Sequence, residues 1–178
     1  MPNSMKRIFI AVNLPEEIKE SLNGLIEKLP KDKVKAVKKE NLHITMKFLG
    51  YMPEETLPEL YKKLNALRKF QKFRIKISNI GFFKTRILWI GINEGKEILG
   101  EISKDIENIL DLNKEEFTSH ITIARNKFLK LGEFRELANE LNKIKTEEIF
   151  LAKSVDVMES ALEKNGPIYK VLHRIELE

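Results

Sequence analysis

Apolar and polar positions along the chain resolve into short strands and amphipathic helices in a repeating order. A nearly continuous apolar run at 7–13 (RIFIAVN) predicts a buried strand. Pro15 then opens a helix with Glu16 and Glu17 in its first turn, where the helix dipole favours acids. Ile18, Leu22, Leu25, Ile26 and Leu29 form its apolar stripe, and Pro30 ends it. A lysine-rich link, 31–40, leads to 41–50 (NLHITMKFLG), whose alternation predicts a strand. Its regular parity puts His43, Thr45 and Lys47 on one face and Leu42, Ile44, Met46 and Phe48 on the other. A helix is predicted over about 53–70, with Leu57, Leu60, Tyr61, Leu64 and Leu67 at helical spacing and Pro58 blurring its start. Residues 72–80, the FFKTR segment and the run ILWIGI read as strand, turn and strand.

The same order then returns. A helix over about 94–112 shows Ile98, Ile102, Ile106, Ile109 and Leu110 as its stripe, and 119–127 (SHITIARNK) predicts a strand with His120 and Thr122 opposite Ile121 and Ile123. A helix at 133–144, with Phe134, Leu137, Ala138 and Leu141 on one face, precedes a strand at 148–158. Ile10-Ala11-Val12-Asn13, helix, His43-Ile44-Thr45 is thus echoed by Ile90-Gly91-Ile92-Asn93, helix, His120-Ile121-Thr122. Two strand-helix-strand-helix-strand halves imply a divergent internal duplication packed as two lobes of one unit, a single domain over 1–178. A last strand, 166–178, places Tyr169, Val171, His173, Ile175 and Leu177 on one face. His173 has no threonine two places on and is assigned a structural role.

Composition narrows the class. A chain of 178 residues with 42% apolar and 33% charged residues can bury one sizeable core and keep a solvated surface. Its apolar runs are too short to span a bilayer, and MPNSMKRIFIAV lacks the apolar core of a secretory leader, so a cytoplasmic protein is expected. Without cysteine there are no disulfides, no thiol nucleophile and no thiolate zinc site. A net charge of +5 suits an anionic ligand without requiring one, and the lysines of 31–40 read equally as a solvated loop or as an electrostatic lip for a phosphate.

Of three histidines, two open the same tripeptide in the same strand-like setting. They lie far apart without flanking carboxylates, which makes a poor metal site, and neither strand offers a serine in a strained turn. Paired proton transfer fits better, because imidazole can be neutral in one copy and protonated in the other near neutral pH. The threonine hydroxyls can donate to oxygens that carry negative charge, and Lys47 or Arg125 can add positive charge. An in-line displacement at phosphorus, with entering and leaving oxygens on opposite sides, suits two such lobes.

These residues resemble the two-histidine (2H) phosphoesterases, defined by paired His-x-Thr/Ser motifs, and within them the RNA 2′,3′-cyclic phosphodiesterases, also called 2′-5′ RNA ligases. RIFIAVNLP, ENLHITMKFLG, FTSHITIAR and the terminal Ser160-x-Leu162 with Gly166-Pro167-Ile168-Tyr169 carry the likeness. Ser119 stands where the family usually has proline. The resemblance implies an α+β, bilobal fold, with two mainly antiparallel sheets lining a central groove and helices outside. It implies hydrolysis of a terminal RNA 2′,3′-cyclic phosphate to a 2′-phosphate, with no metal and no cofactor, by a monomer acting on RNA ends, tRNA fragments or small cyclic nucleotides. Under it His43 protonates the departing 3′ oxygen, His120 activates water, Thr45 and Thr122 hold the non-bridging oxygens and Arg125 supports the phosphate. Regular alternation puts Arg125 opposite His120, so this role needs the strand to bulge or end there; by the same parity Phe48 is core. Phe82 or Phe83 can stack on a terminal base. Ligation of a cyclic phosphate end to a 5′ hydroxyl, and a non-catalytic module that binds RNA ends or nucleotides, are the alternative readings.

Overall fold

The computed structural model describes residues 4–178. Within them the chain runs β1 (Met5–Asn13), α1 (Glu16–Ile26), β2 (Val34–Ala36), β3 (His43–Pro53), α2 (Leu57–Leu64), β4 (Phe73–Phe83), β5 (Ile87–Glu94), α3 (Lys96–Ile109), β6 (His120–Asn126), α4 (Leu131–Asn142), β7 (Glu148–Ala152), β8 (Ser154–Glu163) and β9 (Gly166–Glu176). The strands order as β7-β4-β5-β6-β3-β1-β8-β9, with β2 on β6, and the pairings are antiparallel. The two expected sheets are visible as halves of this order. They join at a seam where β3 and β6 share the single pair Ile44↔Ile121, whereas β1 and β3 pair along their whole length.

The first lobe holds β3, β1, β8 and β9, and the second holds β6, β5, β4 and β7. The second is one continuous excursion of the chain, and its ends pair with each other at Phe73↔Ala152. This differs from the predicted arrangement in one place. The segment read as a single strand at 148–158 breaks at Lys153, and β7 joins β4 while β8 joins β1. The repeat is also out of step with the echo seen in the sequence. Asn13 pairs with His43, but it is Gly91, two residues before Asn93, that pairs with His120.

Helices cover one face of the sheet. Ile8, Ile10, Val12, Ile44, Ile90 and Ile121 point into a core with the stripes of α1, α3 and α4, including Leu22, Ile102, Ile106 and Phe134. Predicted helix 53–70 is shorter: α2 is flanked by 3₁₀ turns at Glu54–Thr56 and Asn65–Lys69, and Pro58 sits in its first turn, where a missing N–H costs nothing. The helix predicted from 94 begins at Lys96, after Gly95 at φ +89; a Cβ there would stand 2.6 Å from the Arg74 carbonyl oxygen. Within the lysine-rich link, β2 emerges by pairing with β6, and Lys35 lies opposite Arg125. The last strand does not keep one face. The register slips at Leu172, so Val171 pairs with Met158 and His173 with Val157, which turns His173 toward Tyr61 and Asn65 on the helical side. The open face carries a small cluster of Phe9, Ala11, Met158 and Tyr169.

Candidate active site

The seam pair Ile44↔Ile121 sets the geometry. Both isoleucines are fully buried on the helical side, so the residues flanking each of them face the open, concave side. In this antiparallel register His43 faces Thr122 and Thr45 faces His120 across the seam. The four side chains thus form a diagonal square that no single element supplies.

Each imidazole is held in the same way. His43 Nδ1 lies 2.6 Å from the Asn41 carbonyl oxygen and His120 Nδ1 lies 2.8 Å from the Thr118 carbonyl oxygen. A carbonyl only accepts, so in both rings Nδ1 carries a hydrogen and donates it, and the neutral form has its lone pair on Nε2. His43 Nε2 is 2.8 Å from Thr45 Oγ1, which donates to it while the ring is neutral. Asn41, itself buried, is anchored by its Nδ2 donating to the Pro167 carbonyl oxygen at 2.8 Å, which ties β9 to the site. Phe9 and Tyr169 flank His43 at 5.1 and 5.3 Å between ring centroids, and Phe83 meets His120 edge-on at 4.9 Å.

Burial pushes the His43 pKa down to about 4; the Asn41 carbonyl opposes this shift, and Lys19 and His120 add to it by charge repulsion. In the free protein at neutral pH His43 is therefore uncharged. Among the described residues no group of three or more His, Asp or Glu side chains converges as metal ligands do.

A sequence model described as LigT like Phosphoesterase matches the chain twice, over residues 12–89 and 90–169, once for each His-Ile-Thr motif. The chain belongs to the LigT-like phosphoesterase family. It is 37% identical over 174 residues to the RNA 2′,3′-cyclic phosphodiesterase of Methanocaldococcus jannaschii, covering 93% of this chain and 98% of the relative. It is 31% identical to the enzyme of the same name from Thermotoga maritima, covering 97% and 96%. Among solved structures, E. coli LigT complexed with 3′-AMP superposes with a TM-score of 0.80 at 19% identity over 98% of this chain and 99% of that one. TT0787 of Thermus thermophilus does so at 0.76 and 24%, over 96% and 97%.

In this LigT-like phosphoesterase two β-bulges decide which other residues reach the concave side. On β6 the register slips so that Trp89 pairs with Thr122 but Leu88 pairs with Ala124, leaving Ile123 as the extra residue. Ile123 and Ala124 are both fully buried, and Arg125, opposite Ile87, turns to the same side as His120 and Thr122. The bulge that an Arg125 role requires is present. On β3 the same slip occurs at Met46: Ala11 pairs with Thr45 and Ile10 with Lys47. Lys47 accordingly does not share a face with His43. Its Nζ lies on the helical side, 2.8 Å from Glu107 Oε1 and 2.7 Å from Glu115 Oε2. Burial pulls its pKa down, but the two carboxylates outweigh that and hold it above its ordinary value, so this ammonium belongs to the protein's own ion pair and not to a substrate.

Phe48 moves the other way. Expected in the core, it lies on the concave side opposite Phe9 and is 66% exposed. Phe82 is also corrected: it pairs with Leu88 on the helical side and packs edge-on against Phe134, so it is not free to stack on a base. Phe83 stays on the concave side beside His120. The sequence reading missed Trp89. It lies on the concave side beside Gly81, where an added Cβ would come within 2.3 Å of the indole ring. Its parity with Gly91, the partner of His120, was the available signal.

Proposed function

We propose that this phosphoesterase hydrolyses the 2′,3′-cyclic phosphate at an RNA end to a 2′-phosphomonoester by proton transfer between two histidines, without a metal or cofactor. The observation that carries this reading is the pair of imidazoles, each with Nδ1–H given to the carbonyl two residues upstream, on the two sides of one seam. Full-length relatives named RNA 2′,3′-cyclic phosphodiesterase support the substrate, and so does a structural neighbour that binds 3′-AMP. The unit of function is the whole two-lobed domain, acting as a monomer in the cytoplasm, since each lobe supplies half of the machinery.

With the cyclic phosphate at the seam, Thr45 and Thr122 donate to its non-bridging oxygens and Arg125 adds positive charge. Neutral His120 accepts a proton from water through Nε2 as the water oxygen bonds to phosphorus. His43, which gains a proton when the phosphate's negative charge arrives, delivers it from Nε2 to the departing 3′ oxygen. Turnover of an oligoribonucleotide ending in a 2′,3′-cyclic phosphate tests the assignment. His43→Ala and His120→Ala should each slow it by about 10² to 10⁴ with the fold retained, and His173→Ala should not. Full activity in either site variant would overturn it, as would a rate abolished by chelators.

The order of roles has its own test. If the bridging 3′ oxygen is replaced by sulfur, the thiolate leaves without protonation. His43→Ala should then recover much of its lost rate, and His120→Ala should stay slow; the reverse pattern would exchange the two roles.

A further inference from the structure

Positive charge is unevenly placed along the chain. Residues 31–35, 84–86 and 125–130 hold eight lysines and arginines and one acid, Asp32, a net of +7 against +5 for the whole protein, so the remaining residues are slightly acidic. The fold gathers these three segments at the end of β6. β2 pairs with β6 so that Lys35 lies opposite Arg125, with Val34 buried on the other face. The tip of the β4–β5 hairpin closes on the same strand end: the Arg86 carbonyl accepts the Asn126 backbone N–H at 2.9 Å, and the Thr85 carbonyl accepts its Nδ2–H at 2.8 Å. Elsewhere cations sit on carboxylates, as Lys6, Lys39, Lys47 and Arg174 do. Of the eight cations here, only Lys33 does so among the described residues, 3.9 Å from Glu133. Like charges gathered without counter-charges repel one another, and an anion laid across them relieves that repulsion.

The same corner presents an aromatic ring. Phe128, 78% exposed, is the most open large apolar side chain among the described residues. Its loop is anchored. Asn126 Oδ1 accepts the Leu129 N–H at 2.9 Å, Asn126 Nδ2 donates to the Leu129 carbonyl oxygen at 2.8 Å, and the Leu129 side chain is buried in the core. The Lys33 carbonyl accepts the N–H groups of Lys127 and Phe128 at 3.0 and 3.3 Å. The turn thus holds the ring outward while the residues on both sides of it are pinned.

We propose that this corner is a track for the RNA strand that leads into the site. It binds the nucleotides upstream of the cyclic phosphate through their phosphates and stacks one of their bases on Phe128, so that the enzyme selects the end of a polynucleotide over a free cyclic mononucleotide. The proposal rests on the cyclic-phosphate reading above. Register at the seam sets the direction. His43 faces Thr122, and from Thr122 β6 runs on to Arg125, so the corner lies on the His43 side of Ile44↔Ile121. His43 is assigned to the departing 3′ oxygen, which belongs to the terminal ribose, and the rest of the strand is attached to that ribose. The water side, at His120, lies the other way. At about 3.3 Å per residue of strand, Phe128 stands on the order of 15 to 20 Å beyond Thr122. That is out of reach of a mononucleotide whose phosphate sits at the seam, but within the span of a few linked nucleotides. Single-stranded nucleic acid is bound by this combination: cations along the backbone and an aromatic platform for a base. An acidic protein surface would suit the cations, yet the path of charge and ring starts at the seam, where the ligand is an RNA end.

Two substrates with the same terminal adenosine separate the track from the site: 2′,3′-cyclic AMP, and a decaribonucleotide ending in adenosine 2′,3′-cyclic phosphate. With the full-length protein the decamer should show a KM about tenfold or more below that of the mononucleotide. Affinity is read separately by anisotropy of the product decamer, which ends in a 2′-phosphate and carries a 5′ fluorophore. Phe128→Ala should weaken that binding about tenfold. Lys31→Gln combined with Lys127→Gln should weaken it too and flatten its dependence of log affinity on log salt by about 0.7 per lysine. Both variants should hydrolyse 2′,3′-cyclic AMP at the wild-type rate. Equal KM for the two substrates in the wild type, or an equal loss with both substrates in the variants, would overturn the track. So would decamer affinity unchanged in both variants, the result expected if the corner serves a protein partner. A wild type that hydrolyses neither substrate would instead overturn the function on which the track rests.

Discussion

At His43 the ring assigned as the acid is uncharged in the free protein, so its proton has to arrive with the ligand. Binding of 2′,3′-cyclic AMP to the slow His120→Ala variant should therefore take up a fraction of a proton between pH 5 and 8. Calorimetry in buffers of different ionisation enthalpy reads that uptake, and binding without it would remove His43 as a ground-state acid. The same burial makes folding sensitive to acid. An unfolded histidine binds its proton below its ordinary pKa of 6.5, whereas folded His43 resists until about 4, so stability falls as pH drops through that window. The loss is on the order of 3 kcal/mol, and His43→Gln should flatten it in urea titrations at pH 4 to 7. At this scale the two His-Ile-Thr motifs were legible because a single residue of regular strand separates imidazole from hydroxyl. Lys47, Phe48 and Arg125 were not, since each lies past a bulge and a bulge reverses the parity on which a strand is read.

Among the elements, β3 and α3 are tied by a contact that the sequence offered to the substrate. Lys47 holds Glu107, a carboxylate only 4% exposed on α3, which among the described residues otherwise accepts only the Glu115 backbone N–H. Lys47→Met should leave that charge stranded at a cost of about 3 kcal/mol, lowering the melting temperature while turnover at 25 °C stays near wild type. Adding Glu107→Gln should return part of the loss. A large rise in KM without destabilisation would instead put Lys47 back in the groove. Amphipathic stripes made the four helices readable, and alternation or apolar runs gave most strands. Residues 148–158 misled because Lys153 is no turn signal: a single lysine in an apolar run does not reveal that the strands on either side of it pair in different lobes. β2 was hidden because a strand of three residues among lysines owes its existence to β6 rather than to its own pattern.

For the whole molecule, duplication was legible from the repeated order, and the sequence model of the family matches once per copy. What could not be read is that the copies and the lobes have different boundaries. The first lobe takes β1 and β3 from the start of the chain and β8 and β9 from its end, and the second lobe sits between them as an insertion closed at Phe73↔Ala152. A chain truncated after Lys153 should therefore lose β1's outer partner and the Pro167 anchor of Asn41. Limited proteolysis should cut its first-lobe segments far faster than those of the second, and cyclic phosphate turnover should vanish; equal protection of both lobes would contradict this division.

That closure at Phe73↔Ala152 also orders events in time. During synthesis the second lobe has all its sheet strands once Ala152 has emerged, but β1 and β3, made earlier, must wait for β8 and β9. At about 5 to 20 residues per second the wait lasts on the order of ten seconds, during which Ile8, Ile10 and Val12 have only part of their final cover. β1 and β3 are thus made before the second lobe and completed after it, which puts the longest exposure to aggregation on the strands whose partners are synthesised last.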